Sequence, residues 1–186
     1  MGFLTSEELS SNSLQYVSIN KDTGHFEIKQ NNEINSYPGL KGWLLGFGRE
    51  KSTYKSGKFE GKPVDTFLIY LKDNGSIYQV KMGFYTYRAL FTMNFFRSLD
   101  KIEQKEVKLV ASDNSTLIQY NNVRLKYKIK YADLKLPDDA AKKKAKKNGI
   151  IDKWFEDLYT KMPYEVAPPT ITKEEINEDE SDDVPF

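Results

Sequence analysis

One stretch, VDTFLIYLKDNGSIYQVKM (64–82), constrains the fold more than any other. Asn74-Gly75 stands between two runs of alternating residues. That dipeptide favours the type I′ turn of a two-residue β-hairpin, because both central residues must take φ > 0. A two-residue turn fixes the register, setting Asp73 against Ser76, and Leu71, Ile69 and Phe67 against Tyr78, Val80 and Met82. Those six apolar residues share one face, which is predicted to be core. The opposite face carries Leu68, Tyr70, Lys72, Ile77, Gln79 and Lys81. Cations beside an aromatic and aliphatic side chains suit a sheet that binds single-stranded nucleic acid, since bases stack on flat groups while ammonium ions neutralise phosphates. A face covered by a helix is the alternative.

Around this hairpin the remaining elements fall into order. LQYVSINKDTGHFEIK (14–29) reads as two short strands about a turn at Asp22-Thr23-Gly24. LKGWLLGFGRE (40–50) reads as a strand whose interior glycines require a bend. Residues 51–63 form a Gly- and Lys-rich loop or ribbon. Leu90, Phe91, Phe95 and Leu99 recur at helical spacing, so 87–99 is predicted helical. Strands follow at 105–111 and 115–132, about a polar turn at Ser112-Asp113-Asn114. Pro137-Asp138-Asp139 starts a Lys-rich helix that Asn148-Gly149 should stop. Ile151, Trp154, Phe155, Leu158, Tyr159 and Met162 form the stripe of a last helix, ended by Pro163.

Strand, hairpin, helix and two further strands is the order of an OB-type barrel. The expected fold is mainly β: a five-stranded OB-like barrel with an N-terminal β-ribbon, a helix between strands three and four, and a C-terminal helical pair within 138–162. An SH3-like barrel or another small α+β fold shares that order. Residues 1–13 read as a flexible start, 14–165 as the binding domain and 166–186 as a disordered acidic tail in which Pro, Thr, Glu and Asp leave nothing to build a core.

NNVRLKYKIKY (121–131) carries the sharpest charge pattern. Val123, Leu125, Tyr127, Ile129 and Tyr131 alternate with Arg124, Lys126, Lys128 and Lys130. Along a strand the four cations would share one side at roughly 6.6 Å intervals. No acid lies between Asn114 and Ala132, so an anionic partner is the economical reading; protection of a strand edge by lysine is the alternative. Arg49, Lys51 and Tyr54 begin the 49–62 loop, which in an OB barrel often clasps the ligand. Lys142, Lys143, Lys144, Lys146 and Lys147 wrap a helix and suit backbone attraction or the chain's own acidic tail. Trp43, Phe47, Phe84, Tyr85, Phe91, Phe95, Phe96, Trp154 and Phe155 are expected in the core.

Composition removes several chemistries. There is no cysteine, hence no disulfide, thiolate metal site or cysteine nucleophile. His25 is the only histidine, which leaves a His-based triad or metal cluster without its parts. No P-loop occurs, and body acids such as Asp22, Asp65, Asp73 and Asp113 are isolated, so an enzyme is not expected; nor is a cofactor or a metal. No apolar run is long enough to span a membrane and no secretory signal is seen, so the expected compartment is the cytoplasm. The formal charge of +1 conceals a division. Seven of the 27 acids lie in residues 174–186 without a cation, leaving 20 acids against all 28 Lys and Arg elsewhere, a body of +8.

The last residues, DESDDVPF, resemble the acidic tip of bacterial single-stranded DNA-binding proteins, which typically end in aspartates followed by Ile-Pro-Phe. Asp182, Asp183, Pro185 and Phe186 match; Val184 stands where Ile is usual and Ser181 replaces an acid. The match covers about six residues. It implies that Phe186 enters an apolar pocket on replication, recombination or repair enzymes while the acids meet basic residues around it. The body is more similar to phage-encoded single-stranded DNA-binding proteins with a divergent OB fold. The expected function is therefore sequence-independent coating of single-stranded DNA, with Tyr70, Lys72, Lys81, Arg124, Lys126, Lys128, Lys130, Arg49, Lys51 and Tyr54 on the DNA. Asp182, Asp183, Val184, Pro185 and Phe186 would meet partner proteins, and a homo-oligomer is allowed. The alternative is a replisome adaptor whose body binds protein or RNA; a nuclease or annealing factor is a weaker one.

Overall fold

The computed structural model describes residues 14–163, apart from 21, 31–32, 55–56 and 113–114. The expected flexible start (1–13) and acidic tail (166–186) lie outside the described residues. In chain order the elements are β1 (Leu14–Ile19), β2 (Phe26–Gln30), β3 (Glu33–Tyr37), β4 (Gly39–Thr53), β5 (Pro63–Asp73), β6 (Ser76–Gly83), α1 (Tyr87–Phe96), β7 (Glu106–Ser112), β8 (Ser115–Tyr120), β9 (Val123–Arg124) and α2 (Ala140–Lys161). Short 3-10 turns lie at Gly57–Phe59 and Tyr131–Leu134. The fold is mainly β, with one mixed sheet and two helices.

The hairpin forms as its sequence dictates. Asp73 pairs with Ser76, Leu71 with Tyr78, Ile69 with Val80 and Phe67 with Met82. Asn74 and Gly75 both have positive φ, 46° and 82°. The described strands make one sheet in the order β3-β2-β1-β6-β5-β4-β7-β8-β9, antiparallel throughout except for the parallel pair β1–β6. The sheet is open, so the expected closed barrel is not formed. Closing strands β4 to β8 into a ring would require β6 and β8 to meet. Instead β1 occupies the free edge of β6 and β9 that of β8. The N-terminal ribbon is thus part of the main sheet.

β4 is the strand that bends the sheet. Its first half pairs with β7 from Gly39 to Trp43, and its second half with β5 from Trp43 to Thr53. Leu44 opposes Leu71 and Gly46 opposes Tyr70, so Leu45 is an extra, bulged residue. Gly46 sits at φ 149°, which disfavours any side chain. A Cβ on Gly48 would lie 3.0 Å from the Tyr70 ring. The interior glycines therefore do mark a bend.

The core fills the space between the sheet's inner face and the helices. Phe47 stacks on Phe67 at 5.8 Å and meets Phe96 edge-on at 4.8 Å; Phe155 meets Phe67 and Phe84 edge-on. Each such buried ring contributes about 1.5–3 kcal/mol. Thr86 caps α1, its Oγ1 accepting from the Ala89 amide at 3.2 Å, and Asp139 caps α2. The two helices expected on either side of Asn148-Gly149 are one continuous helix. Gly149 costs about 1 kcal/mol inside a helix, but burial of Ile151, Trp154, Phe155 and Leu158 beyond it outweighs that. The strand expected over 115–132 also differs. It ends at Tyr120, because Asn121 and Asn122 take positive φ (49° and 64°) and reverse the chain into the two-residue β9. β3 has no apolar alternation and was not expected; it is an exposed edge strand held by pairing with β2 alone.

Candidate nucleic-acid interface

The chain from β9 onward is a strap laid across α1. It starts at the Asn121-Asn122 turn and ends at Lys135, also left-handed at φ 47°. Between them Leu125 and Leu134 are buried and Ile129 packs against the core. One side chain fixes its path. Asn94, buried in α1, donates from Nδ2 to the Ile129 carbonyl (2.6 Å) and accepts from the Ile129 amide at Oδ1 (3.1 Å), imitating a strand partner. The register imposed by Leu125 and Ile129 leaves Arg124, Lys126, Lys128 and Lys130 exposed. Among the described residues none of these four forms an ion pair. Asp133 is the only acid between 115 and 137.

Beside these cations the strap displays aromatic rings. Tyr127 stacks on Phe95 at 4.2 Å and 24° and leans on Phe91. Tyr131 meets Tyr87 and Phe91 edge-on, both at 5.9 Å. Tyr87, Tyr127 and Tyr131 nevertheless remain 37%, 41% and 43% exposed. The first half of α2 adds charge. Lys147 lies 4.8 Å over the Tyr87 ring and donates to the Tyr85 carbonyl, while Lys146 donates to the Lys135 carbonyl at 2.8 Å. Burial, then the neighbouring Lys144, pushes the Lys147 ammonium below its ordinary pKa. Lys161, also below its usual value, is affected first by burial and then by Lys128 and Arg97.

The hairpin's outer face is a different surface, turned away from the helices. Tyr70 is only 6% exposed, laid across Gly48 and hydrogen-bonded by Gln79 Nε2 at 3.1 Å. With Leu45, Leu68 and Ile77 it makes a second buried cluster, so it is not an open stacking platform. Lys72 is half-buried, and Lys81 pairs with Glu50 at 3.6 Å and lies over the Tyr16 ring. Trp43, expected in the core, is 52% exposed here, because its place before the bulge turns it outward opposite Lys72.

Arg49 points inward. Its guanidinium forks onto Asp65, bonds Asp152 at 2.9 Å and the Tyr85 hydroxyl at 2.8 Å, and lies 3.8 Å over Phe84. The hydrogen bonds to Asp65 raise its pKa further, so it stays charged. This makes it a clamp between β4, β5 and α2, with Nε, Nη1 and Nη2 all engaged inside the protein. Lys51 and Tyr54 line an open cleft of about 580 Å³ with Val64 and Tyr85, and Tyr54 leans on Phe59. The structure thus brings Lys126, Lys128 and Lys130 together with the tyrosines and α2, and not with Lys72 and Lys81. The tip residues Asp182 to Phe186 lie outside the described residues. The exposed tyrosines were not among the expected DNA contacts, because strict alternation along a strand sets them on the side opposite the cations. The signal against that was Asn121-Asn122, which breaks the strand before the alternation begins.

Among the described residues there is no group of three or more acids or histidines able to hold a metal, and no helix long and apolar enough to cross a membrane. Comparison of the chain with protein-family models, curated proteins and solved structures gives no match.

Proposed function

We propose that this protein is a non-catalytic single-stranded DNA-binding protein of replication, recombination or repair, acting in the cytoplasm. The observation that carries the reading is the strap: four cations, exposed and without carboxylate partners among the described residues, set beside half-exposed aromatic rings. Such a surface attracts phosphates by charge and offers flat rings to unpaired bases, which requires no sequence preference. The strand order β4 to β8 with α1 after β6 supports a divergent OB relation in which the ring has stayed open. The acidic tip would recruit partner enzymes through Phe186 and its neighbouring acids, and its charge would let it compete with DNA for the basic surface.

The adaptor reading is favoured by one observation, the large exposed Trp43 on the outer face, since aromatics anchor protein interfaces. Titration of labelled oligo-dT against full-length protein and against the chain ending at Lys173 separates the two. Single-strand binding is expected to be salt-sensitive, tighter without the tail, and stronger than binding to duplex of equal length. No oligo-dT binding by either chain at low salt overturns the proposal and leaves the adaptor.

A further inference from the structure

We propose that Tyr127 and Tyr131, displayed by the strap over α1, are the platform on which DNA bases stack, and that this surface rather than the outer face of the hairpin holds the strand. This rests on the single-stranded DNA reading above and names its site. The ring of Tyr127 is pressed on Phe95 at 4.2 Å and leans on Phe91, and the residue is still 41% exposed. Tyr131 is braced by Tyr87 and Phe91 and is 43% exposed. A ring supported from behind loses little freedom when a base covers it, which is what makes stacking favourable. Asn94 holds the strap at Ile129, midway between the two tyrosines, so both are placed before DNA arrives.

Charge decides between the two faces of the sheet. On the outer face Lys41 pairs with Glu106 at 2.9 Å, Lys81 with Glu50 and Lys108 with Glu106. Three of that surface's lysines thus each have a carboxylate beside them, Glu106 serving two of them. Around the tyrosines Lys126, Lys128 and Lys130 have no such partners among the described residues, and Lys147 crowds in from α2. Like charges held together raise the local potential, and a phosphate chain relieves it. A duplex can satisfy the lysines but keeps its bases stacked internally, out of reach of rings that lie on a protein surface. The platform therefore selects single strands, and the lysines do not.

The test uses full-length protein and oligo-dT. Tyr127→Leu/Tyr131→Leu keeps apolar packing on Phe95 and Phe91 but removes the flat rings. It should weaken oligo-dT binding at least about tenfold, since each stacked base is worth about fivefold or more and two rings are removed. The salt dependence should be unchanged, because no phosphate contact is lost. Tyr127→Phe/Tyr131→Phe should bind like the wild type. On the unaltered protein, photocrosslinking of a 5-bromodeoxyuridine oligonucleotide should map to Tyr127 or Tyr131. Wild-type binding with an unaffected Leu variant, or crosslinks on Trp43 and Tyr16 instead, overturns the platform while the function stands. A wild type that binds no oligo-dT overturns both.

Discussion

Replacing Asn94 by alanine should loosen the strap without touching its charges. The side chain makes two hydrogen bonds to the Ile129 backbone, at 2.6 and 3.1 Å, from a buried position. At about 1 kcal/mol net each, their loss costs about 2 kcal/mol, and water can reach the freed Ile129 groups, so no full desolvation penalty is added. Alanine is the better helix former by about 0.5 kcal/mol, which offsets part of this. The expected destabilisation is about 1.5 kcal/mol, or a fall in Tm of about 3–6 °C for a domain of this size. Urea denaturation should show a lower midpoint, and amide exchange at Ile129 should quicken more than in β5. Asn94→Asp should be worse at neutral pH, because a carboxylate would face the Ile129 carbonyl. Burial raises that carboxyl's folded pKa above its unfolded value. Its stability should therefore be greatest below the unfolded value of about 4 and be lost as pH rises through the folded one. An Asn94→Ala protein within about 0.5 kcal/mol of wild type, with Ile129 exchange unchanged, would show that the strap does not depend on this clasp.

Gly149→Ala should raise stability by about 1 kcal/mol and Tm by about 2–4 °C, since a Cβ there meets nothing within 4 Å; a fall in Tm would show that the glycine is needed for α2. Arg49→Ala should cost about 2–3 kcal/mol by leaving Asp65 and Asp152 without their cation, less than a fully buried pair because Asp152 is partly solvated. It should leave the salt dependence of oligo-dT binding untouched, and a changed dependence would return Arg49 to the DNA surface. Phe186→Ala should leave oligo-dT binding unchanged and abolish capture of replication proteins from host extract; capture at the wild-type level refutes recruitment by the tip.

How much of this was legible depends on whether the relevant physics is local. The Asn74-Gly75 hairpin could be read to the residue, because a two-residue turn dictates its own register and the alternating faces follow. The bend at Gly46 and Gly48, the helix start at Pro137-Asp138-Asp139 and the order of strands around α1 are local in the same sense. Closure of the sheet is not. Whether β6 pairs with β8 or with β1 is settled by competition between distant edges that no single segment records. Gly149 shows the same limit, because its local preference to stop a helix lost to apolar burial on the turns that follow. For the candidate site, the cations of 124–130 were visible as a charge pattern, and their exposure holds. Their aromatic partners were not, since Tyr87 lies far away in sequence and a strict alternation sets Tyr127 and Tyr131 opposite the cations. Arg49 counted as a loop cation because Asp152, its distant partner, is 103 residues away.

The most direct measurement of the central claim is the salt dependence of oligo-dT binding for the wild type and for Arg124→Glu/Lys126→Glu/Lys128→Glu. Each phosphate contact contributes about 0.7 to the slope of log K against log salt for single strands, so losing three should flatten it by about 2 and weaken binding strongly at low salt. A variant that keeps both the wild-type slope and the wild-type affinity would contradict the assignment of the strap as the DNA-binding surface.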